Sequence, residues 1–291
     1  MTDTPAQWTV NSETGTLRDV LLCRPDHYEW IPTNDIARRA LDQGTKADPQ
    51  GLALQYGELE SALSDAGVSR HYLKPEAGLP YQVYTRDSSQ VTPWGVMLTQ
   101  LERPQRRGEI GSILEFYGRT QTAFWRTGTA GAIEGGDIHI IREGLMAVGY
   151  SGGRTDKTGA QQFAKWFADE GWQTYTVPMA EHFLHLDVIF CMVADGLALA
   201  CVDVLDDSFL AWLDNNAIRL IPVSYKEAML DMACNVLALG DGRVVTPHHC
   251  KRVNALLRSE GLTVYDPNLD QFAHGGGSVH CMTMPLRRDP V

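Results

Sequence analysis

The chain has 291 residues, 44% hydrophobic and 21% charged, which is the balance of a globular protein long enough to bury a substantial core. A formal charge of −11 speaks against nucleic acid or an anionic membrane surface as the main partner. No apolar run reaches the roughly 18 residues of a spanning helix, and the polar start, Met1 to Val10, lacks the segments of a signal peptide, so a cytoplasmic location is expected.

In chain order, Asp19 to Cys23 reads as a first strand. Tyr28 to Gln50 has no strand character and suits either a lid or a surface excursion. A helical stretch, Tyr56 to Ala66, ends at Gly67 before the strand Val68 to Leu73, and Gln90 to Thr99 offers further strands. From there the pattern is regular. Strand pairs joined by tight turns occupy Ile138 to Val148, Val188 to Val202 and Val236 to Val245. Each is followed by a helix and one more strand, with helices at Ala160 to Glu170, Asp207 to Asp214 and Cys250 to Glu260. Asp195-Gly196 and Asp241-Gly242 are hairpin signals, and Gly171 and Gly261 sit where a helix C-cap is expected. The unit is strand, strand, helix, strand, recurring about every 45–60 residues. Repetition at that period predicts a radial or stacked α/β architecture in one domain spanning 1–291; a doubly wound sheet, which would lack the regular hairpins, ranks second.

Four polar islands stand at the starts of strands in this repeat. They are Tyr84-Thr85-Arg86-Asp87, Glu134-Gly135-Gly136-Asp137, His185-Leu186-Asp187, and Gly275-Gly276-Gly277-Ser278-Val279-His280-Cys281. In a radial fold equivalent strand ends converge, so the four can share one pocket. Carboxylates bind a planar guanidinium through paired, charge-assisted hydrogen bonds, a thiolate attacks its carbon, and a histidine moves protons. Singly each island has a plainer reading as a turn, a surface ion pair or a core residue. Cys281 stands apart because three glycines precede it, which implies close backbone approach. Cys191, Cys201 and Cys234, in apolar runs, read as structural thiols, and the six cysteines lack the CxxC spacing of a zinc ribbon. His280 follows the strand alternation onto the other face and is not automatically the base.

From about Asp19 to Arg288 the sequence resembles the guanidine-modifying (amidinotransferase) superfamily, most of all arginine deiminase and also dimethylargininase. Cys281-Met282-Thr283-Met284-Pro285-Leu286 is similar to its nucleophile motif, and His185-Leu186-Asp187 followed by Val188-Ile189-Phe190 to its histidine motif. The resemblance implies the five-bladed α/β propeller called pentein. It implies Cys281 as nucleophile, His185 as general acid and base, and Glu134 orienting the histidine. Asp87 and Asp187 would hold the guanidinium, with Asp137 in the same binding set. Arg154 resembles an arginine that grips a substrate carboxylate; Arg107 resembles a second, a place that Arg106 could equally take. Dimethylargininases usually have a lysine where Asp187 stands, and amidinotransferases an aspartate in place of Glu134, so the resemblance favours a deiminase-like hydrolase. It implies a small guanidino substrate, no metal and no organic cofactor, and is compatible with a homo-oligomer. Methylated-arginine hydrolysis, amidino transfer and a non-catalytic pentein are the alternatives.

Overall fold

The computed structural model describes residues 8–291. Its strands form five three-stranded sheets, and all five have the same construction. An inner strand pairs antiparallel with a middle strand, across a tight turn in four of the five. A helix then crosses over, and an outer strand returns parallel to the middle one. Inner strand β3 (Ser89–Thr92) is followed by β4 (Gly95–Leu98), helix α3 (Glu109–Arg119) and β5 (Phe124–Thr127). The next sheet runs β6 (Ile138–Arg142), β7 (Leu145–Tyr150), α4 (Lys157–Asp169), β8 (Gln173–Pro178). The fourth runs β9 (Phe190–Ala194), β10 (Leu197–Ala200), α5 (Asp207–Asn215), β11 (Arg219–Pro222). After α6 (Tyr225–Asp231) comes the fifth, β12 (Leu237–Gly240), β13 (Arg243–Val245), α7 (Lys251–Ser259), β14 (Thr263–Tyr265).

The remaining sheet joins distant parts of the chain. Its middle and outer strands are β1 (Leu17–Cys23) and β2 (Ser69–Leu73), with α1 (Asp35–Asp42) and α2 (Pro49–Asp65) between them. Its inner strand, β15 (Met284–Arg288), follows the short helix α8 (Asp270–Gly275). β15 packs on β3, β9 on β12 and β12 on β1, while the turns before β3, β6 and β9 touch in succession. The five sheets thus form a ring, the five-bladed α/β propeller that the family resemblance implies.

Burial follows position in the blade. β3 and β12 are buried along their whole length, and β6 and β9 are buried except at the last residue. The outer strands β5 and β11 are largely exposed, as edges, and are only four residues long. Helix starts are locally encoded: the side chains of Asp48, Asp156 and Asp206 cap α2, α4 and α5, and Ser224 with Glu227 forms a capping box on α6. Asp241 and Gly242 both take positive φ, as a two-residue hairpin turn of this hand requires.

One boundary needs adjusting. α2 begins at Pro49, seven residues before the predicted start, because Asp48 and Pro49 supply an N-cap and a preorganised first turn. The segment 28–50, expected to lack strand character, contains the helix α1, which packs on α8.

Candidate active site

Because the inner strands are buried on both faces, polar residues at their entry have no bulk water to pair with and must pair with one another. The turns before β3, β6, β9, β12 and β15 all open at one end of the ring axis, and the four islands meet there.

Cys281 is 4% exposed and sits in a turn whose Met282 N–H bonds the Ser278 carbonyl at 3.0 Å. The Asn235 side chain grips this turn. Its Oδ1 accepts from the N–H of His280 at 3.0 Å and of Cys281 at 3.3 Å, and its Nδ2 donates to Cys281 Sγ at 3.1 Å. The thiol in turn donates to Asp187 Oδ2 at 3.3 Å. Burial first, and then the Asp187 carboxylate, push the thiol up to about 12, against a hydrogen bond from His185 that lowers it. The three glycines before Cys281 are dictated by crowding: a Cβ at Gly275, Gly276 or Gly277 would collide with Tyr28, Asn34 or Tyr84.

His185 Nε2 lies 2.8 Å from Glu134 Oε2, and Nδ1 3.8 Å from Asp87 Oδ1. Burial opposes a charged imidazole. Asp87, Asp137 and hydrogen bonds to Cys281 and Glu134 outweigh it, so the ring is held well above the usual histidine range. Gly136 carries no side chain because a Cβ there would stand 2.6 Å from the His185 ring. Glu134 also accepts from the Glu102 N–H at 3.0 Å and faces Arg154 Nη1 at 3.4 Å. Against the cost of burial, Arg154 and His185 hold its carboxyl well below the ordinary range.

Asp87 accepts from Arg106 Nη1 at 2.6 Å and from the Gly136 N–H at 3.2 Å. Arg106 is itself buried and pairs with both oxygens of Glu109, at 2.8 and 2.9 Å. Asp87, Arg106, Arg154, His185 and Cys281 border one cavity of about 20 Å³, with Asn34, just before α1, on its rim. Asn34, Arg154 and Leu184 also border an outer cavity of about 440 Å³ that includes Arg38 and Arg103. The inner space is that of about one water molecule.

A family model described as N,N-dimethylarginine dimethylhydrolase, eukaryotic, matches residues 27–288. The chain belongs to this family. It is 30% identical over 281 residues to the uncharacterized protein YkgA of Bacillus subtilis, covering 95% of this chain and 94% of that one. It is 28% identical over 256 residues to arginine deiminase of Listeria monocytogenes, covering 72% of this chain and 62% of the deiminase. Among solved structures the fold is shared with the substrate-bound N-terminal domain of ArgZ, a cyanobacterial arginine dihydrolase. That match has a TM-score of 0.79 at 20% identity and covers 93% of this chain and 98% of that one. A dimethylarginine dimethylhydrolase fold of the same kind, from Pseudomonas aeruginosa and complexed with citrulline, gives a TM-score of 0.77 at 20% identity. It covers 92% of this chain and 99% of that one.

In this member of the dimethylargininase family the predicted site residues separate into two groups. Cys281, His185, Glu134, Asp87, Asp187 and Arg154 come together at the axis. Of these, Glu134 and Asp187 are fully buried behind His185 and Cys281 and do not line the cavity; nor do Asp137 and Arg107. Asp137 is fully buried behind His185, where its Oδ1 accepts from the Leu186 N–H at 2.8 Å, and burial pushes it up to about 7. Arg107 is exposed and donates to the carbonyls of Leu101 and Glu102 at 3.2 and 3.0 Å. Of the two neighbouring arginines it is Arg106 that faces the cavity. Asp187 is further from a free carboxylate than expected, since His280 Nδ1 lies 2.8 Å from its Oδ2.

Asn235 is the residue that sequence reasoning missed. It occupies the turn before β12, the fifth strand entry of the repeat, so the periodicity itself was the signal. Asp87, Glu134 and His185 also carry ligand-type atoms within 4.8 Å of one another. Their lone pairs are largely committed to Arg106, Arg154, the Glu102 and Gly136 N–H groups and each other.

Proposed function

We propose that the chain is a hydrolase of the guanidinium group of an arginine-like amino acid, with Cys281 as nucleophile. The observation that carries this is the meeting of Cys281, His185 and Arg154 on one cavity, with Asp187 bonded to the thiol and Glu134 to the histidine behind them.

The substrate cation lies with its carbon over Cys281 and its nitrogens toward Asp87 and Asp187. The cation stabilises a thiolate that burial otherwise disfavours; the thiol proton leaves to solvent as the cation binds and is regained from the intermediate's hydroxyl when the C–S bond breaks. The sulfur adds to the carbon, and the C–N bond breaks as imidazolium His185 protonates the departing nitrogen. An amidino-thioether on Cys281 remains. Neutral His185 then takes a proton from water, the hydroxide adds, and the C–S bond breaks to give a ureido product and free Cys281. Glu134 orients the ring and stabilises its charge in both halves. The carbon is electron-poor once its charge is held in place, so the residues present suffice for the chemistry.

The leading reading is an unsubstituted guanidino amino acid with ammonia as leaving group, supported by the two acids, Asp87 and Asp187, beside the thiol. The second is a methylated arginine with an alkylamine leaving group, favoured by the family match over 27–288. Arginine, methylated arginines, agmatine and ω-guanidino acids, scored for ureido product, ammonia and alkylamine, separate the two. Absence of ureido product from every compound would overturn the proposal.

A further inference from the structure

Behind the catalytic turn, on the side of the axis away from the cavity, lies a second cluster that the proposed chemistry does not use. His139 on β6, Cys191 on β9 and His280 in the turn before β15 are 0%, 1% and 1% exposed, and their ligand atoms lie within 4.8 Å of one another. We propose that these three side chains, with Glu13 as a fourth donor, form a buried zinc-type site.

Three observations carry this. Among the described residues, both ring nitrogens of His139 and Nε2 of His280 are buried with no hydrogen-bond partner. Unpaired polar atoms in an interior are costly, and a buried cluster of them points to a ligand they would share. The donors are two imidazoles and a thiol, the set that suits Zn²⁺, and Glu13 Oε2 stands 3.6 Å from His280 Nε2 as a carboxylate within reach of the same point. Finally, the other nitrogen of His280, Nδ1, is 2.8 Å from Asp187 Oδ2. A histidine that ligates through one nitrogen and bonds a carboxylate through the other is the usual second-sphere arrangement at zinc.

Two buried arginines, Arg86 and Arg288, also stand near Glu13, so the cluster carries positive charge of its own. Arg86 lies 3.6 Å from Glu13, so a dication here has a guanidinium nearby. The carboxylates of Glu13 and Asp187 and a Cys191 thiolate offset the dication and one of the two guanidiniums. Bond lengths of about 2.0–2.3 Å require the ligand atoms to draw together from their present spacing. The near-parallel rings of His139 and His280, with centroids at 5.4 Å, must rotate to do so. Because the cluster is sealed, the ion would enter as the ring folds. Bound there, it fixes His280, and through it Asp187, one residue from the nucleophile.

The test is expression of the full chain in medium supplied with Zn²⁺ or, separately, Co²⁺, followed by desalting and metal analysis. One ion per chain is expected, with a thiolate-to-cobalt charge-transfer band in the cobalt protein. Cys191→Ser and His139→Gln should lose the ion, and the band should vanish in Cys191→Ser. Cys281→Ser should keep both. If the ligand variants fail to fold, alkylating Cys281 in the cobalt-loaded wild type with a haloacetamidine serves instead, and the band should survive it. Metal at trace level in the wild type, meaning that water alone fills the cluster, would overturn the proposal. So would loss of the ion from Cys281→Ser with retention in Cys191→Ser, which would place it at the catalytic thiol.

Discussion

Asn235 holds Cys281 from two sides: its amide nitrogen donates to Sγ at 3.1 Å, and its amide oxygen accepts from the backbone N–H of the same residue at 3.3 Å. The first bond strengthens as the sulfur becomes a thiolate, and the second keeps the sulfur aimed at the cavity. A hydrogen bond to a charged group contributes about 1.5–3 kcal/mol. Asn235→Ala should therefore lower kcat/KM by roughly tenfold to 150-fold, with slower alkylation of Cys281. An Asn235→Ala enzyme with unchanged alkylation and turnover would remove the residue from the proposed machinery.

The thiol, raised to about 12 by burial and by Asp187, should be protonated in the free protein at neutral pH. Neutral iodoacetamide is expected to label Cys281 slowly, at a rate still rising beyond pH 9, whereas cationic 2-chloroacetamidine should label it rapidly by filling the place of the substrate cation. Cys281→Ser should abolish labelling and cut turnover by about a thousandfold or more. An iodoacetamide profile that levels off below the ordinary thiol range would show that the sulfur is not desolvated.

His185 and Glu134 set opposite limits on stability. A histidine raised in the folded state contributes stability that is fully present below its unfolded value, 6.5, and lost as pH rises through the folded one. Glu134, held low, contributes above its ordinary 4.5 and loses the contribution as pH falls through its depressed value. Urea unfolding of wild type and His185→Gln should show a stability difference that shrinks as pH rises above 6.5. A difference independent of pH between 6 and 10 would mean that the ring is not raised.

Arg154 touches Glu134 at 3.4 Å and also faces the outer cavity, so its removal should act in two ways. Loss of the guanidinium beside Glu134 should slow every substrate. Loss of a carboxylate contact worth about 1.5–3 kcal/mol should slow arginine a further tenfold to 150-fold over agmatine. An unchanged arginine-to-agmatine ratio in Arg154→Ala would assign the residue to Glu134 alone.

The repeat was legible because hairpin turns and helix caps are local: Asp241-Gly242 and Gly261 announce themselves within a few residues. The blade of β3 to β5 was read only at its hairpin, since Gly111 and Gly118 dilute the helical signal of α3 and the exposed β5 carries no apolar alternation. The catalytic islands stood out by their charges and glycines. Asn235, neutral and set in the apolar run Met232 to Val236, did not. Arg106 and Arg107 are equivalent as letters; the turn Pro104–Arg106 directs the first toward Asp87 and Glu109 and leaves the second outside. Glu13, His139, Cys191 and His280 are brought near one another only when distant parts of the chain meet, which no spacing along the chain reveals.

The pairing of β15 with β1, Leu21 opposite Met284 and Leu17 opposite Arg288, links parts of the chain that lie far apart in order of synthesis. Contacts of such separation form late, because the entropy of closing a long loop is spent before they repay it. The turn bearing Cys281 leads directly into that strand. On refolding, helical and hairpin signals should therefore return before activity does, and the kinetics of regained turnover should track closure of the ring. A chain with four blades formed and the fifth unzipped is catalytically silent, so a nucleophile competent toward free guanidinium compounds emerges only with the finished molecule.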